Sequence, residues 1–360
     1  MAFHAPEGLV DKVRGDGLGW KSMMRPGNWI LSQFSNDLIF IFLPGIASIA
    51  IFSRLPSNSI YLLVYAFFAS TIVDSGHVYT TAWRTFFRKE ERNSHPLYWI
   101  APLTIITGVF LWVYFRIPYL WSFVVYATIY HHMTQFYGFL RWYQKLNKRI
   151  SYFSGYFLFA LILIPFILFH FRSLPNERYY TDQDIFFYPN PAFFKIGLFI
   201  YASVVIAWLV FEAVLIYKKH FELNRFLALL APAFLYAYCF LVGKNSIQIL
   251  LPLLLSHGIP YMAVMSLSLG RLDPKAFHKV YKAVGIIALT AVVGGVANTL
   301  YETYVITISN GYVQNGISVI ETLLIGIYLV PLFCHYVFDG YLWKSKHKDA
   351  RLIYSNRPAL

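Results

Sequence analysis

Long apolar runs dominate this sequence, and most are close to the roughly 20 residues that an α-helix needs to cross the hydrocarbon core of a bilayer. The pattern therefore predicts an all-α, polytopic transmembrane helical bundle of about ten spans. The predicted spans are Asp37–Phe52, Ile60–Ala82, Leu97–Phe115, Ile117–Leu140, Tyr152–Phe171, Phe193–Tyr217, Phe226–Val242, Ile247–Leu269, Val280–Leu300 and Ile317–Leu342.

Composition supports a membrane location and excludes other classes. The chain is 58% hydrophobic and only 13% charged, whereas soluble domains carry about 25% charged residues. The net charge of +13 is not accompanied by zinc-ligand spacing or an aromatic RNA-binding motif, so we expect no nucleic-acid partner. Cys239 and Cys334 both lie inside apolar runs, so no disulfide framework is expected.

Lysine and arginine predict the orientation, because positively charged loops stay in the cytoplasm. With ten spans and a cytoplasmic N-terminus, only six of the 30 basic residues fall outside: Arg54, Arg116, Arg172, Arg178, Lys195 and Lys244. Both termini are therefore predicted to be cytoplasmic, and no cleaved signal peptide is expected. The predicted organisation is an interfacial segment at residues 1–35, a transmembrane domain at 36–343 and a basic tail at 344–360.

Ionisable residues inside four of the predicted spans share one depth. Such residues are costly in a membrane and usually face the interior of a helix bundle. All four spans are even-numbered and therefore run in the same direction, and the residues lie in the last third of three spans and near the middle of the eighth. We expect one cluster, displaced toward the cytoplasmic side. Its members are Asp74, His77, His131, His132, His257, His335 and Asp339.

Imidazole and carboxylate are the side chains that bind iron, zinc and manganese. Asp74 and His77 are three residues apart and His335 and Asp339 four apart, so each pair shares a face of a regular helix. We predict one or two metal ions in the cluster, with iron as the first choice and zinc or manganese as alternatives. Two other interpretations stay open, which are a structural hydrogen-bond network and a pathway for protons or solutes.

Four further residues are predicted to bind a substrate. Arg84 and Arg141 follow the second and fourth spans, where they would contact lipid headgroups or hold an anionic group of the substrate. Gln135 lies three and four residues after the paired histidines and is placed to orient either of them. Tyr137 belongs to a predicted aromatic wall of an apolar slot, together with Tyr130, Phe136 and Trp142.

A multi-span chain with histidines on several helices resembles the Brp/Blh-type membrane carotenoid-cleaving dioxygenases and, more loosely, the membrane di-iron desaturases and hydroxylases. The resemblance to the first group implies that histidines from several helices hold iron and that a long polyene lies between the helices. The matching positions are His77, His131 or His132, His257 and His335. The pair His131-His132 is similar to part of a desaturase histidine box, whereas Asp74-x-x-His77 and His335-x-x-x-Asp339 belong to neither pattern.

These observations favour an integral membrane metal-dependent oxygenase or oxidoreductase, acting on a lipid, isoprenoid or carotenoid with dioxygen as co-substrate. The alternatives are a transporter or proton-coupled carrier that uses the same cluster, and a membrane-embedded lipid transferase with His257 as general base. Phosphate-binding loops, nucleophile elbows, zinc-protease motifs and dinucleotide glycines are absent from the sequence. The sequence predicts no oligomeric state and assigns no role to Glu212, Glu302 and Glu321.

Overall fold

The protein is described here by a computed structural model, which covers residues 28–52, 59–174, 181, 184–277, 280–344 and 353. Most of the predicted segment 1–35 and of the predicted tail 344–360 lies outside the described residues. Within these ranges the chain is all-helical and contains no strand. The predicted all-α class is therefore confirmed for the part of the chain that the structure describes.

Ten long helices, α1 to α10, occupy the described ranges and follow the predicted spans in order. They are Phe34–Phe52, Ile60–Trp83, Leu97–Tyr114, Leu120–Leu146, Tyr152–Phe169, Pro191–Tyr217, Leu223–Val242, Ser246–Leu272, Val280–Ser309 and Val319–Leu342. Two helices are clearly longer than predicted, because α4 continues past Leu140 to Leu146 and α9 continues past Leu300 to Ser309. Both extensions contain polar cavity-lining residues, such as Arg141 and Glu302, so apolar content alone underestimates them.

Nine of these helices, all except α4, are long and apolar enough to cross a membrane. The chain is therefore a multi-pass membrane protein. Helix α4 has 27 residues, ample length for a span. Its inward-facing polar residues lower its hydropathy, and they include His131, His132, Gln135 and Arg141.

Helices α2, α8 and α10 run in the same direction, and side chains at corresponding turns of the three helices contact one another. His77, His257 and His335 form one layer of contacts. One helical turn further on, Thr81 contacts Tyr261 and Tyr261 contacts Asp339. The predicted parallel arrangement of these three helices therefore agrees with the contacts.

Two glycines beside the histidines allow the backbones to approach closely. A Cβ added to Gly258 would lie 2.6 Å from the carbonyl oxygen of Val73 on α2. A Cβ on Gly76 would collide with the backbone of Ala291 on α9. Because these glycines adjoin His257 and His77, helix α8 and helix α9 can pack directly against the part of α2 that carries the cluster.

The three unassigned glutamates have different environments. Glu212 forms a buried ion pair with Arg225, with Nη1–Oε1 and Nη2–Oε2 distances of 2.7 and 2.5 Å. Glu321 completes a capping box with Ser318 at the start of α10. Glu302 faces a cavity that also contains Asp74. The first two glutamates are explained by structure alone, whereas Glu302 belongs to the surroundings of the histidine cluster.

Candidate metal centre

Two histidines from two other helices direct the same ring nitrogen, Nε2, toward Nε2 of His335. The Nε2 atom of His335 lies 3.2 Å from Nε2 of His77 and 3.1 Å from Nε2 of His131. All three side chains are buried, with 1%, 2% and 7% of their surface exposed for His335, His77 and His131, respectively. The sequence prediction that these histidines lie together agrees with this geometry.

The hydrogen-bond network determines which nitrogen of His77 carries a proton. Its Nδ1 atom lies 3.0 Å from the carbonyl oxygen of Val73, which can only accept. Nδ1 is therefore the donor, and in the neutral ring Nε2 presents a lone pair. Val73 lies in a π-helical stretch, Phe68–Ser75, whose wider turns alter the usual backbone pairing.

A chain of hydroxyl groups determines the proton position on His335. The Tyr261 hydroxyl donates to Oδ1 of Asp339 at 2.9 Å, so its oxygen can accept from Thr81 at 2.8 Å. The Thr81 oxygen can then accept from Nδ1 of His335 at 2.9 Å. This consistent arrangement leaves Nε2 of His335 with a lone pair as well.

Lone pairs that face one another at this distance repel unless a cation lies between them. A proton on one Nε2 could satisfy a single contact, whereas Nε2 of His335 has two close neighbours. Two donors that are each about 2.1 Å from one ion, at a right angle, lie about 3.0 Å apart. The observed separations are close to this value. Fixing the tautomer through the distal nitrogen is also how proteins orient histidine ligands. The residues therefore fit a metal ion.

His257 and His132 extend the cluster. The His257 ring lies 4.7 Å from that of His77 and 5.0 Å from that of His131, between ring centres. His257 is 1% exposed, and among the described residues neither of its ring nitrogens has a hydrogen-bond partner. Because a buried imidazole without partners is costly, this residue also fits a ligand role. His132 stacks on His257 with ring centres 4.0 Å apart.

Within the described ranges, two sets of ligand atoms are close enough to share a metal ion, and both contain His335. The first comprises His77, His257 and His335, and the second comprises His131, His335 and Asp339. Oδ2 of Asp339 lies 3.9 Å from Nε2 of His131 and 3.8 Å from Nδ1 of His335. The predicted residues Asp74 and His132 lie outside both sets, and their metal-binding role stays a prediction.

Asp74 instead lines a polar cavity of about 120 Å³ on one side of the histidine layer. The π-helical stretch ends at Ser75, between Asp74 and His77, so the spacing rule of a regular α-helix does not apply to this pair. Glu302 and Asn298 of α9 also face the cavity, and Nδ2 of Asn298 donates to Glu302 at 3.3 Å. His77, His132 and His257 form its boundary with the cluster.

A larger cavity of about 700 Å³ lies between α4 and α10, with α8 contributing to its wall. Its lining is mostly aromatic and aliphatic, and it reaches the cluster at His131 and Asp339. Exposed side chains of Phe123 and Tyr130 form part of the wall, so the cavity borders the apolar outer surface of the bundle. Its volume lies within the range of about 300–1,000 Å³ that small-molecule sites occupy.

Three of the four predicted substrate-binding residues line this larger cavity: Gln135, Tyr137 and Arg141. Gln135 orients neither paired histidine through a hydrogen bond, because its Nε2 donates to the carbonyl oxygen of His257 at 3.2 Å. Of the other predicted wall residues, Tyr130 and Trp142 line the cavity. Phe136 packs edge-on against Tyr236 in the core instead, because it lies on another face of α4.

Arg84 lies outside both cavities. Its side chain is fully buried, and its guanidinium group is 4.3 Å from the ring centre of Trp343. The Trp343 indole lines the larger cavity and donates to Oδ1 of Asp339 at 3.2 Å. Arg84 can therefore act on a cavity ligand only indirectly, through Trp343 or through the charge of Asp339.

Thr81, Tyr261 and Tyr336 are site residues that the sequence interpretation missed. Thr81 and Tyr261 each follow a cluster histidine by four residues, so the helical spacing could have identified both. Tyr336 stacks on His131 with ring centres 4.2 Å apart and borders both cavities. Because Tyr336 directly follows His335 in the sequence, helical spacing did not indicate that Tyr336 belongs to the site.

His170 provides a contrast to the cluster. Its Nδ1 lies 2.9 Å from the carbonyl oxygen of Phe166, and its Nε2 lies 2.9 Å from the Tyr126 hydroxyl. Both ring nitrogens are therefore occupied by protein partners.

Comparisons of the chain with protein-family models, curated proteins and solved structures found no match.

Proposed function

We propose that this protein is a metal-dependent membrane oxidoreductase, with iron as its metal, that oxygenates a long apolar substrate such as a lipid or isoprenoid. The observation that carries the proposal is the approach of Nε2 of His77 and Nε2 of His131 to Nε2 of His335, at 3.2 and 3.1 Å, beside a large apolar cavity. A structural polar network does not require lone pairs to face one another, and it does not require an adjoining cavity.

In this proposal His77, His131, His257, His335 and Asp339 supply the ligands, and they hold one or two ions through the two sets described above. The chemistry that iron supplies with such ligands is activation of dioxygen. Thr81 and Tyr261 orient His335 through its Nδ1 atom. The aromatic wall of the larger cavity positions an apolar chain against His131 and Asp339 and excludes water.

The cavity supports a substrate that arrives from the bilayer. Phe123 and Tyr130 are 50% and 67% exposed and belong to the cavity wall. An apolar molecule dissolved in the membrane could therefore enter between α4 and α10 without crossing water. A substrate that arrives from the aqueous phase would not need an apolar cavity wall at the outer surface of the bundle.

We also propose ten spans, with α4 as the span of lowest hydropathy, and both termini in the cytoplasm. This orientation puts the basic ends of α2, α4 and α10 in the cytoplasm. The cluster then lies nearer to that side, although His131 and His132 are close to the middle of α4. Single cysteines at Arg88 and Lys148 should be labelled from the cytoplasm. Background labelling should be low because Cys239 and Cys334 are buried.

The test of the metal is direct. The protein should be purified in a neutral detergent from metal-replete cells, without chelators. It should then contain one or two equivalents of iron, as measured by elemental mass spectrometry. His335→Ala should lose most of the metal, because both ligand sets contain this residue. His170→Ala is the matched control, since it removes a half-buried histidine with two protein partners and should retain the metal.

Function requires a second measurement. The purified protein should consume dioxygen when membrane lipid extract is supplied, and His335→Ala should not. Wild-type protein without any transition metal above background would reject the proposal. Solute flux in liposomes would then favour the carrier alternative. Metal retention without oxygen uptake on any lipid fraction would restrict the site to a role other than oxygenation.

A further inference from the structure

The larger cavity has positive charge at one end. Arg141, Lys145 and Lys344 are part of its lining, near the C-terminal ends of α4 and α10. The rest of the wall is apolar or aromatic apart from a few neutral polar groups and the cluster itself. An apolar molecule without charge, such as a polyene hydrocarbon, would gain little binding free energy from these three cations.

One face of α4 connects the charged end to the cluster. The residues of α4 on this face recur at intervals of three and four, as helical geometry requires. They are His131, Thr134, Gln135, Gly138, Arg141, Trp142 and Lys145. Arg141 follows His131 by ten residues, so the two lie roughly 15 Å apart along the helix axis. The cavity therefore has a defined length between its cationic end and its reactive wall.

Arg141 is arranged to receive an anion. Its Nη1 atom donates to the amide oxygen of Gln144 at 3.0 Å, and its guanidinium group lies 5.9 and 5.6 Å from the ring centres of Tyr137 and Tyr152. Within the part of the chain that the structure describes, no carboxylate lies within ion-pair distance of this guanidinium group. The fork of donors suits a carboxylate or a phosphate.

We propose that the substrate is an amphiphile with one anionic head group. The head, a carboxylate or phosphate, binds Arg141 with Lys344 and Lys145 beside it, and the apolar chain extends along α4 to His131 and Asp339. The site of attack would then be a chain position roughly 15 Å from the head. This inference rests on the proposed function for its chemistry, although the binding itself requires no metal.

Binding can be measured by quenching of tryptophan, because Trp142 and Trp343 line the cavity. The probes are dibrominated octadecanoic acid, the corresponding alcohol and the corresponding alkyl phosphate, added to protein in neutral detergent. The acid, the phosphate or both should bind wild-type protein about tenfold or more tightly than the alcohol, since hydrogen bonds to charged groups contribute that much. Trp142→Phe should reduce the quenching and thereby assign it to the cavity.

Substitutions separate a head-group site from general attraction to a basic surface. Arg141→Gln with Lys344→Gln should weaken binding of the anionic probes about tenfold and leave the alcohol unchanged. Lys148→Gln is the matched control, because Lys148 is exposed near the end of α4 but does not line the cavity. It should leave all three affinities unchanged. Of the two anionic probes, the tighter one identifies the head group.

Equal affinity for acid, phosphate and alcohol in the wild-type protein would overturn the inference. Equal weakening of all probes by the double substitution, or an equal effect of Lys148→Gln, would also overturn it. Iron content measured on the same samples keeps the two proposals apart. Selective anion binding by metal-free protein would reject the oxidoreductase and retain the amphiphile site, whereas iron without anion selectivity would do the reverse.

Discussion

The Nε2 atom of His77 lies 3.2 Å from the Nε2 atom of His335, although 258 residues separate them in the chain. The first occupies α2 and the second α10, so the contact joins helices from opposite ends of the sequence. A network that served only to hold helices together would place a donor against an acceptor. Here the backbone of Val73 and the hydroxyl of Thr81 occupy the distal nitrogens, and the facing atoms are both available as ligands.

Thr81→Val should weaken metal binding without removing a ligand. Valine keeps the shape of threonine but cannot accept the Nδ1 proton of His335, so the ring loses its orientation. Loss of such an outer partner typically lowers metal affinity 10- to 100-fold. Titration with a competing chelator measures the change. Thr85→Val is the control, because in the part of the chain that the structure describes its hydroxyl donates to the carbonyl oxygen of Thr81 and to no cluster residue. Similar losses in both variants would contradict an orienting role for Thr81.

Gly258→Ala should disturb the cluster through the backbone. The added methyl group would meet the carbonyl oxygen and Cγ1 of Val73, both at 2.6 Å. Overpacking of this kind costs about 1–3 kcal/mol of stability, and separation of α8 from α2 should also reduce the metal content. Gly285→Ala, where nothing lies within 4 Å of the added carbon, should be tolerated. Thermal unfolding in detergent and metal analysis measure both effects, and equal behaviour of the two variants would count against close backbone packing.

Asp339→Asn should reduce bound metal more than Asp74→Asn. Asp339 belongs to a ligand set with His131 and His335, whereas Asp74 faces the smaller cavity with Glu302. An amide is a weaker ligand than a carboxylate for iron, so the affinity should fall only for the first variant. The metal content of the two purified variants, measured by element analysis, tests this prediction. Loss of metal from Asp74→Asn alone would place the ion nearer to the smaller cavity.

Glu212→Ala should destabilise the protein and leave its metal in place. Removal of the carboxylate leaves Arg225 buried, which costs about 3 kcal/mol, the lower end of the usual range because Glu222 remains 3.9 Å away. Replacing both partners, as Glu212→Leu with Arg225→Met, should recover most of that loss. Unfolding and metal content should be measured together. A metal-free Glu212→Ala protein that is still folded would connect this ion pair to the cluster.

Sequence reasoning located the helices and the members of the cluster because both depend on local chemistry. Apolar runs give the spans, and a charge inside a span faces the bundle interior because lipid cannot solvate it. The depth shared by His77, His257 and His335 follows from span direction together with the position of each residue within its span. Contacts one turn further on, such as Thr81 with Tyr261, followed the same periodicity and could have been predicted.

Other features depend on backbone irregularity and three-dimensional packing. The π-helical stretch before Gly76 changes the relation between Asp74 and His77, and no sequence spacing indicated it. The direction of Phe136 depends on which face of α4 meets Tyr236. Arg84 was assigned to the membrane surface or to substrate, yet it is buried beneath Trp343, a residue near the other end of the chain. Such relationships arise only when distant helices pack.

The histidine layer separates a small cavity with many polar lining residues from a larger, mainly apolar one, and this arrangement has a consequence for steady-state kinetics. Small hydrophilic molecules would reach the layer past Asp74 and Glu302, whereas an apolar chain occupies the space between α4 and α10. The two kinds of ligand then need not exclude each other sterically. A small neutral polar inhibitor that binds the layer from the side of Asp74 and Glu302 should lower the maximal rate without raising the apparent KM for the apolar substrate, and an unreactive amphiphile should do the opposite.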